Sequence, residues 1–252
     1  MWIRCCSLTL LVVFTATRLP TALAEDAAAR TVVDKGIKAM GPAEALAKYK
    51  ADAWKARGRM TMMGQTLPYT CEYMFQGPGR FRFVMDGEFG GQKIRITAAG
   101  AEGKAWEQAA GQVRDMPEPK LKEFNHNIYT IWVSMLTPLQ DPAFRLTSLG
   151  DVKSIDGKTQ TGVKVSREGQ RDVSLFFDKS TGLLTRSLTR VMDEFSNKEV
   201  TQEVVFSDYK NKDGVMQFGK MTILRDGKPF IEEEIFDQKG LEKLEEALFK
   251  KP

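Results

Sequence analysis

The sequence has little of the chemistry on which most hydrolases and metal sites depend. Its 252 residues include one histidine, His126, and no Gly-x-Ser-x-Gly turn, so nothing indicates a serine triad. Zinc needs several histidine or cysteine ligands, so we expect no metal and no cofactor, and we interpret His126 as a surface or boundary residue. Glycosidases need only two carboxylates, which any composition supplies, so that class stays open.

Cysteine is also scarce, and two of the three cysteines lie in a segment typical of an export signal. Arg4 precedes an apolar run over residues 8–16, and Ala22-Leu23-Ala24 has the small-x-small form of a cleavage site. The run is shorter than the roughly 18–20 residues that span a bilayer. We therefore predict a signal peptide over residues 1–24, cleavage after Ala24, export of the mature chain and one domain over residues 25–252.

Cleavage at that point would leave a nearly neutral domain with one thiol. Arg4 and Arg18 account for two of the 37 basic side chains, which leaves 35 against 33 acidic ones. Such a balance gives no strong attraction to nucleic acid. Cys71 would be the remaining cysteine, and we interpret it as an inert buried thiol. Without an internal disulfide, the burial of a core must stabilise the domain, which we expect to be a monomer.

Alternation of apolar and polar residues predicts ten to twelve short strands between Lys50 and Gln238. The clearest strand spans residues 69–76, and residues 80–85 and 93–97 repeat its pattern, so that three adjacent strands share an apolar face. Short turns join the strands, which predicts an antiparallel meander, and a sheet of this size must curve. The fold class is therefore mainly β with some helix (α+β), with a single curved antiparallel sheet.

Helical spacing appears in three places, and these helices are predicted to act as a lid over the sheet. Two short helices broken at Gly41-Pro42 open the domain, and an inserted helix follows Pro117 and Pro119 as far as Pro138. A further helix is predicted over residues 240–248. The three consecutive acids at residues 232–234 alternate in facing, and we interpret them as part of a solvated edge strand near the C-terminus.

Several short stretches follow one another in order across nearly the whole predicted domain. They are Lys35–Gly41 with Ala45-Leu46, Leu175–Leu184, Phe206–Lys210, Asp213-Gly214-Val215 and Asp226-Gly227-Lys228. In their order and spacing these stretches resemble the outer-membrane lipoprotein-sorting proteins of the periplasm, the LolA/LolB-like carriers. A proline that often follows the Asp-Gly-Val turn in related sequences is replaced here by Gln217-Phe218. The resemblance implies an unclosed barrel whose helices cover an apolar cavity for acyl chains, with no cofactor.

Together these features favour a non-catalytic periplasmic carrier or binder of lipoprotein acyl chains or other lipids, with envelope donor or acceptor proteins as possible partners. The alternative is an envelope sensor or scaffold of the same fold whose interior is filled. An enzyme that acts on lipid or sugar has only the sheet in its favour. The residues predicted to line the cavity are Tyr69, Tyr73, Phe75, Phe81, Phe83, Met85, Ile94, Ile96, Phe124, Ile128 and Trp132.

Overall fold

A computed structural model describes residues 26–62, 64–154, 156–194 and 196–252. The predicted export signal and its cleavage site lie outside the described residues. The described chain opens with helices α1 (Ala27–Met40) and α2 (Ala43–Leu46), separated at Gly41-Pro42 as predicted. The Asp26 carboxylate caps α1, since its Oδ1 accepts a hydrogen bond from the Ala28 backbone N at 2.9 Å.

A single antiparallel sheet of 13 strands follows, interrupted by helix α3 (Glu118–Ser134) and a short 3₁₀ turn at Thr137–Gln140. The strands are β1 (Ala51–Met62), β2 (Gln65–Gln76), β3 (Arg80–Phe89), β4 (Gln92–Ala101), β5 (Lys104–Ala109), β6 (Gln112–Asp115), β7 (Arg145–Lys153), β8 (Thr159–Ser166), β9 (Val173–Asp178), β10 (Leu184–Asp193), β11 (Lys198–Lys212), β12 (Val215–Arg225) and β13 (Lys228–Leu241).

The strand order is β6-β5-β4-β3-β2-β1-β13-β12-β11-β10-β9-β8-β7. The first and last strands of the chain, β1 and β13, therefore pair at the centre, whereas β6 and β7 form the two edges and do not close the sheet within the described part of the chain. This confirms the predicted unclosed antiparallel architecture. The strand that the pattern did not single out is β1, whose inner face alternates through Asp52, Trp54, Ala56 and Gly58 and so has little apolar contrast.

The predicted C-terminal helix over residues 240–248 is wrong. Strand β13 continues to Leu241, and a 3₁₀ turn at Glu246–Phe249 is the helical structure that follows it. The leucine spacing serves an extended segment instead, in which Leu244 and Phe249 pack against Ala51 on the outer face of the sheet. Trp106 Nε1 donates a hydrogen bond of 2.9 Å to the Phe249 carbonyl oxygen, which holds this segment in place.

Helix α3 lies against the inner face of the sheet, and its two halves have different surroundings. Towards its C-terminal end, Val133 is fully buried with Val33 of α1 and Leu146 of β7 in the main hydrophobic core. Midway along the helix, Ile128 packs against Phe75 and Phe81. In the N-terminal half, Leu121 and Phe124 pack against a small cluster that includes Ala98 of β4 and Ala105 of β5, while other residues of this half border an open space above the sheet.

Candidate apolar binding site

The open space is a cavity of about 630 Å³ between the N-terminal half of α3 and the ends of the β1–β2, β3–β4 and β10–β11 hairpins. Its volume lies within the range of roughly 300–1,000 Å³ that is typical of small-molecule sites. Among the described residues, five methionines line it, namely Met60, Met62, Met85, Met116 and Met192. Flexible thioether side chains adapt to ligands of varied shape, so this lining suits an apolar ligand without a fixed outline.

The eleven residues predicted to line a cavity divide into two groups. Six of them border the 630 Å³ cavity: Tyr69, Phe83, Met85, Ile94, Ile96 and Phe124. The other five, Tyr73, Phe75, Phe81, Ile128 and Trp132, pack with one another and with α3 beside it. Strand periodicity placed these side chains on the correct face, but the position of α3 decides which of them border open space. A role in lipid contact stays a prediction for all eleven.

Seven charged side chains of the described residues border the cavity: Glu88 and Glu194 are exposed at its edge, and the other five are paired. The Glu107 carboxylate, which is buried, receives hydrogen bonds from Lys120 Nζ at 2.5 Å and from Arg114 Nε at 2.7 Å. Burial alone would raise the pKa of Glu107, but the bonds from Lys120 and Arg114 lower it below its usual value. Glu107 therefore stays ionised and neutralises Lys120, the lysine that lines the cavity.

The opposite wall has two further pairs of the same kind. Arg225 Nη1 donates to Asp193 Oδ2 at 2.6 Å, and Arg171 binds Glu123 in a bidentate arrangement whose Nη1–Oε2 distance is 2.8 Å. The Met192 backbone N also donates to Glu123 Oε2 at 3.0 Å, which ties α3 to β10. Among the described lining residues, each lysine and arginine is thus already bound to a carboxylate.

The acids at residues 232–234 do not belong to an edge strand, so that interpretation is wrong. Strand β13 lies between β1 and β12 in the middle of the sheet. Glu232 and Glu234 point outward and pair with Arg59 at 2.8 Å and Arg57 at 3.0 Å. Glu233 points inward, and it is 4% exposed.

Glu233, Tyr69 and Tyr73 form a buried polar cluster, here called the Glu233 cluster. The Glu233 Oε1 accepts hydrogen bonds from the hydroxyls of Tyr69 at 2.6 Å and Tyr73 at 2.5 Å. Its Oε2 has no hydrogen-bond partner within the described part of the chain. Burial raises the pKa of Glu233, and the two tyrosine bonds oppose that rise only in part. Since Tyr69 also borders the cavity, the cluster adjoins its wall.

A glycine makes the Glu233 cluster possible. Gly58 of β1 lies between Glu233 of β13 and Tyr69 of β2 in the strand register. A Cβ atom at this position would be 2.6 Å from the Glu232 carbonyl oxygen and 2.8 Å from the Glu233 Cγ. The sequence contains one sign of this cluster: Glu233 occupies a position on the apolar face of its strand, between Ile231 and Ile235.

The prediction that His126 is a surface or boundary residue is wrong, since its side chain is buried between α3 and β10. The Thr189 hydroxyl donates to the Asp172 carbonyl oxygen at 3.0 Å, so the His126 Nε2, 3.0 Å from that hydroxyl, is the donor to Thr189. Burial lowers the pKa of His126 to about 4, and the charge of Arg171 lowers it as well. The imidazole is therefore neutral near pH 7.

Three further features of the described residues bear on function. Cys71 is buried, and burial raises the pKa of its thiol to about 12. Within the described ranges, no group of three or more histidine, cysteine, aspartate or glutamate side chains is arranged to hold a metal ion. None of the described helices combines the length and the apolar character that a membrane-spanning helix requires.

Comparison with known proteins shows a likeness of fold. No protein-family model matches the sequence, and no curated protein matches it either. A solved DUF1329 family protein from Desulfovibrio piger superposes with a TM-score of 0.58 at 13% identity, covering 88% of this chain and 97% of the other. A LolA superfamily protein from Nitrosomonas europaea gives 0.57 at 13% identity with the same coverage.

A domain from Vibrio parahaemolyticus, described as an outer membrane lipoprotein-sorting protein domain, superposes with a TM-score of 0.53 at 11% identity, covering 86% of this chain and 97% of the other. These identities are low, so the likeness shows the fold alone. The resemblance inferred from the sequence is thus confirmed at the level of architecture.

Proposed function

We propose that the protein is a non-catalytic periplasmic binder or carrier of lipid acyl chains, including those of lipoproteins, and that the 630 Å³ cavity is the binding site. The observation that carries the proposal is the lining of methionine, aromatic and aliphatic side chains beneath α3. The fold likeness to a lipoprotein-sorting domain supports it. The export signal predicted from the sequence supports a periplasmic location.

Burial of a chain in this cavity would provide ample affinity. Each methylene group removed from water contributes about 0.8 kcal/mol, so ten methylenes contribute roughly 8 kcal/mol before the costs of association. A net 8.2 kcal/mol corresponds to a dissociation constant of about 1 μM. Since association itself costs at least about 4 kcal/mol, a chain of about fifteen methylenes is needed to reach that affinity without any polar contact.

The polar side chains near the cavity favour binding over catalysis. His126 donates its Nε2 proton to Thr189, and its low pKa makes it a poor base near neutral pH. The Cys71 thiol is buried, and its raised pKa keeps it protonated. Glu107 and Glu123 are bound to basic side chains. We therefore propose that the bound molecule is held and released unchanged.

A second candidate function is an envelope sensor or scaffold with a filled interior. The observation in its favour is the packed cluster of Phe75, Phe81 and Ile128, which occupies the inner face beside the cavity. Such a protein would bind another protein through its surface and would take up no lipid.

One experiment separates the two candidates. Binding of a fluorescent fatty acid to the mature protein is measured for the wild type and for two variants. Phe83→Glu changes the cavity wall. Phe236→Glu is the control, because Phe236 is exposed on the opposite side of the sheet. We expect Phe83→Glu to abolish binding, since an unpaired carboxylate would lie beside the chain, and the control to bind normally.

Thermal melts of the three proteins accompany the binding measurements, so that loss of binding is distinguished from loss of folding. Organic extracts of protein purified from its native envelope, analysed by mass spectrometry, identify the natural ligand. A wild type that binds no amphiphile and yields no lipid would remove the carrier proposal.

A further inference from the structure

We infer that the cavity holds a single apolar chain and leaves the head group at its mouth, so that it selects ligands by the length and number of their chains rather than by head-group charge. This inference rests on the proposed function, and it adds a substrate class: single-chain amphiphiles. Two independent observations support it, namely the size of the cavity and the pairing of its charges.

The volume of the cavity limits how many chains it can hold. A water molecule takes up about 30 Å³ of liquid, and if a methylene group fills a comparable volume, 630 Å³ accommodates about twenty methylenes. One hexadecyl chain fits within this limit. A lipid with two such chains has about thirty carbons in them and would exceed the cavity by roughly half its volume. The second chain would have to stay outside, or the packed clusters beside the cavity would have to open.

Packing beside the cavity opposes such an expansion. Phe124, which borders the cavity, lies with its ring centroid 5.9 Å from that of Phe81 in the neighbouring cluster. Gly100 of β4 lies directly under the Phe124 ring, where a Cβ atom would be 2.6 Å from Cε1. On the other wall, Glu123 accepts hydrogen bonds from Arg171 and from the Met192 backbone N, and these bonds fix α3 to β10. To hold a second chain, the protein would have to separate α3 from one of these walls.

The charges of the cavity exclude a charged head group from its interior. An anionic phosphate or carboxylate would need a cation, but Lys120 is bound to Glu107, and Arg225 is bound to Asp193. A cationic head group inside the cavity would meet carboxylates that already have partners, because the remaining lining acids, Glu88 and Glu194, are exposed at the mouth. Burying an unpaired charge costs several kcal/mol, so either kind of head group remains in water at the mouth.

The mouth itself has charges of both signs and exposed apolar side chains. Two acids, Glu88 and Glu194, are exposed there. Two lysines are their neighbours in the strand register, since Lys93 lies across from Glu88 and Lys198 lies across from Asp193. Such a surface favours neither sign of head group. Met192, which is 38% exposed, extends the apolar lining outward to the mouth.

The test uses titrations of the mature protein at physiological salt with ligands kept below their micelle-forming concentrations. A head-group series has one hexadecyl-length chain in each member: lysophosphatidylcholine, hexadecyltrimethylammonium and palmitate. We expect dissociation constants within about threefold of one another, since salt screens the charges at the mouth. A chain series of decyl to hexadecyl lysophosphatidylcholines should gain up to about fourfold in affinity for each methylene.

Native mass spectrometry then counts the chains. We expect one molecule of lysophospholipid per protein, and dipalmitoyl phosphatidylcholine, offered in vesicles, to compete at least about tenfold more weakly. The variant Ile96→Trp, which fills part of the cavity, should reduce binding of the hexadecyl ligand more than that of the decyl ligand. Thermal melts establish that this variant folds, and Phe236→Trp on the outer face is its matched control.

The possible results separate this inference from the proposed function. If the two-chain lipid competes within about tenfold of the single-chain lipid, or if one head-group charge is preferred by more than about threefold, the single-chain inference is overturned while the carrier proposal stands. If none of the amphiphiles binds, both are overturned.

Discussion

The buried Glu233 cluster makes a prediction about how stability depends on pH. Burial raises the pKa of Glu233 in the folded state, so the folded protein holds this proton at pH values where the unfolded chain has released it. The contribution of Glu233 to stability is therefore fully present below its unfolded pKa, near 4.5, and is lost as the pH rises through the folded value. A mutation that removes the titration should remove this loss.

The perturbation is Glu233→Gln, which keeps the shape of the side chain and an oxygen that can accept from Tyr69 and Tyr73. At low pH the variant should be less stable than the wild type by about 1–3 kcal/mol. The amide has two buried N–H donors without an acceptor, whereas the neutral acid has one O–H donor on Oε2, an atom without a partner in the described part of the chain. As the pH rises, the difference should shift in favour of the variant by about 1.4 kcal/mol for each unit by which the folded pKa exceeds the unfolded one.

The assay is urea unfolding of both proteins at half-unit steps from pH 4 to pH 8. Two other groups titrate in this window: His126, and Asp52, for which burial raises the pKa to about 7. Both titrate in the wild type and in the variant, so their effects on stability cancel in the difference. Glu234→Gln is the matched control. Its carboxyl is exposed, and Arg57 lowers its pKa, so the control should show no gain in relative stability as the pH rises. A difference between Glu233→Gln and the wild type that stays constant across the range would refute the reasoning.

Two further predictions concern α3 and its contacts. Burial lowers the pKa of His126 in the folded protein to about 4, so its contribution to stability is complete above about pH 6.5. This contribution should fall by roughly 2–3 kcal/mol as the pH drops to 4. The variant His126→Gln should not show this fall when unfolding is measured at acid pH. The variant Gly100→Ala places a Cβ against the Phe124 ring and should lower the free energy of unfolding in urea by about 1–3 kcal/mol. The control Gly79→Ala, where a Cβ would have no atom within 4 Å, should lower it by less than about 1 kcal/mol. Equal losses of stability would contradict the close approach of Gly100 to Phe124.

The class of fold and the facing of most strands follow from local sequence patterns alone. Period-two alternation in β2 to β4 places Tyr69, Phe83 and Ile96 on one face because successive strand residues point to opposite sides of a sheet. Short turns required antiparallel neighbours, and Pro117 and Pro138 bounded α3 closely. These features depend on local geometry, which neighbouring residues specify.

The pairing of distant strands and the burial of individual side chains depend on tertiary contacts and do not follow from local sequence patterns. Pairing of β1 with β13 placed Glu233 in the middle of the sheet, where the same three acids would be solvated on an edge. The position of α3 against the sheet buries His126 and divides the inner face into a packed cluster and a cavity. The C-terminal leucines pack on the outer face as extended chain and not as a helix. Each outcome depends on partners distant in sequence, because burial is set by whatever covers a side chain, whereas periodicity fixes only the direction in which it points.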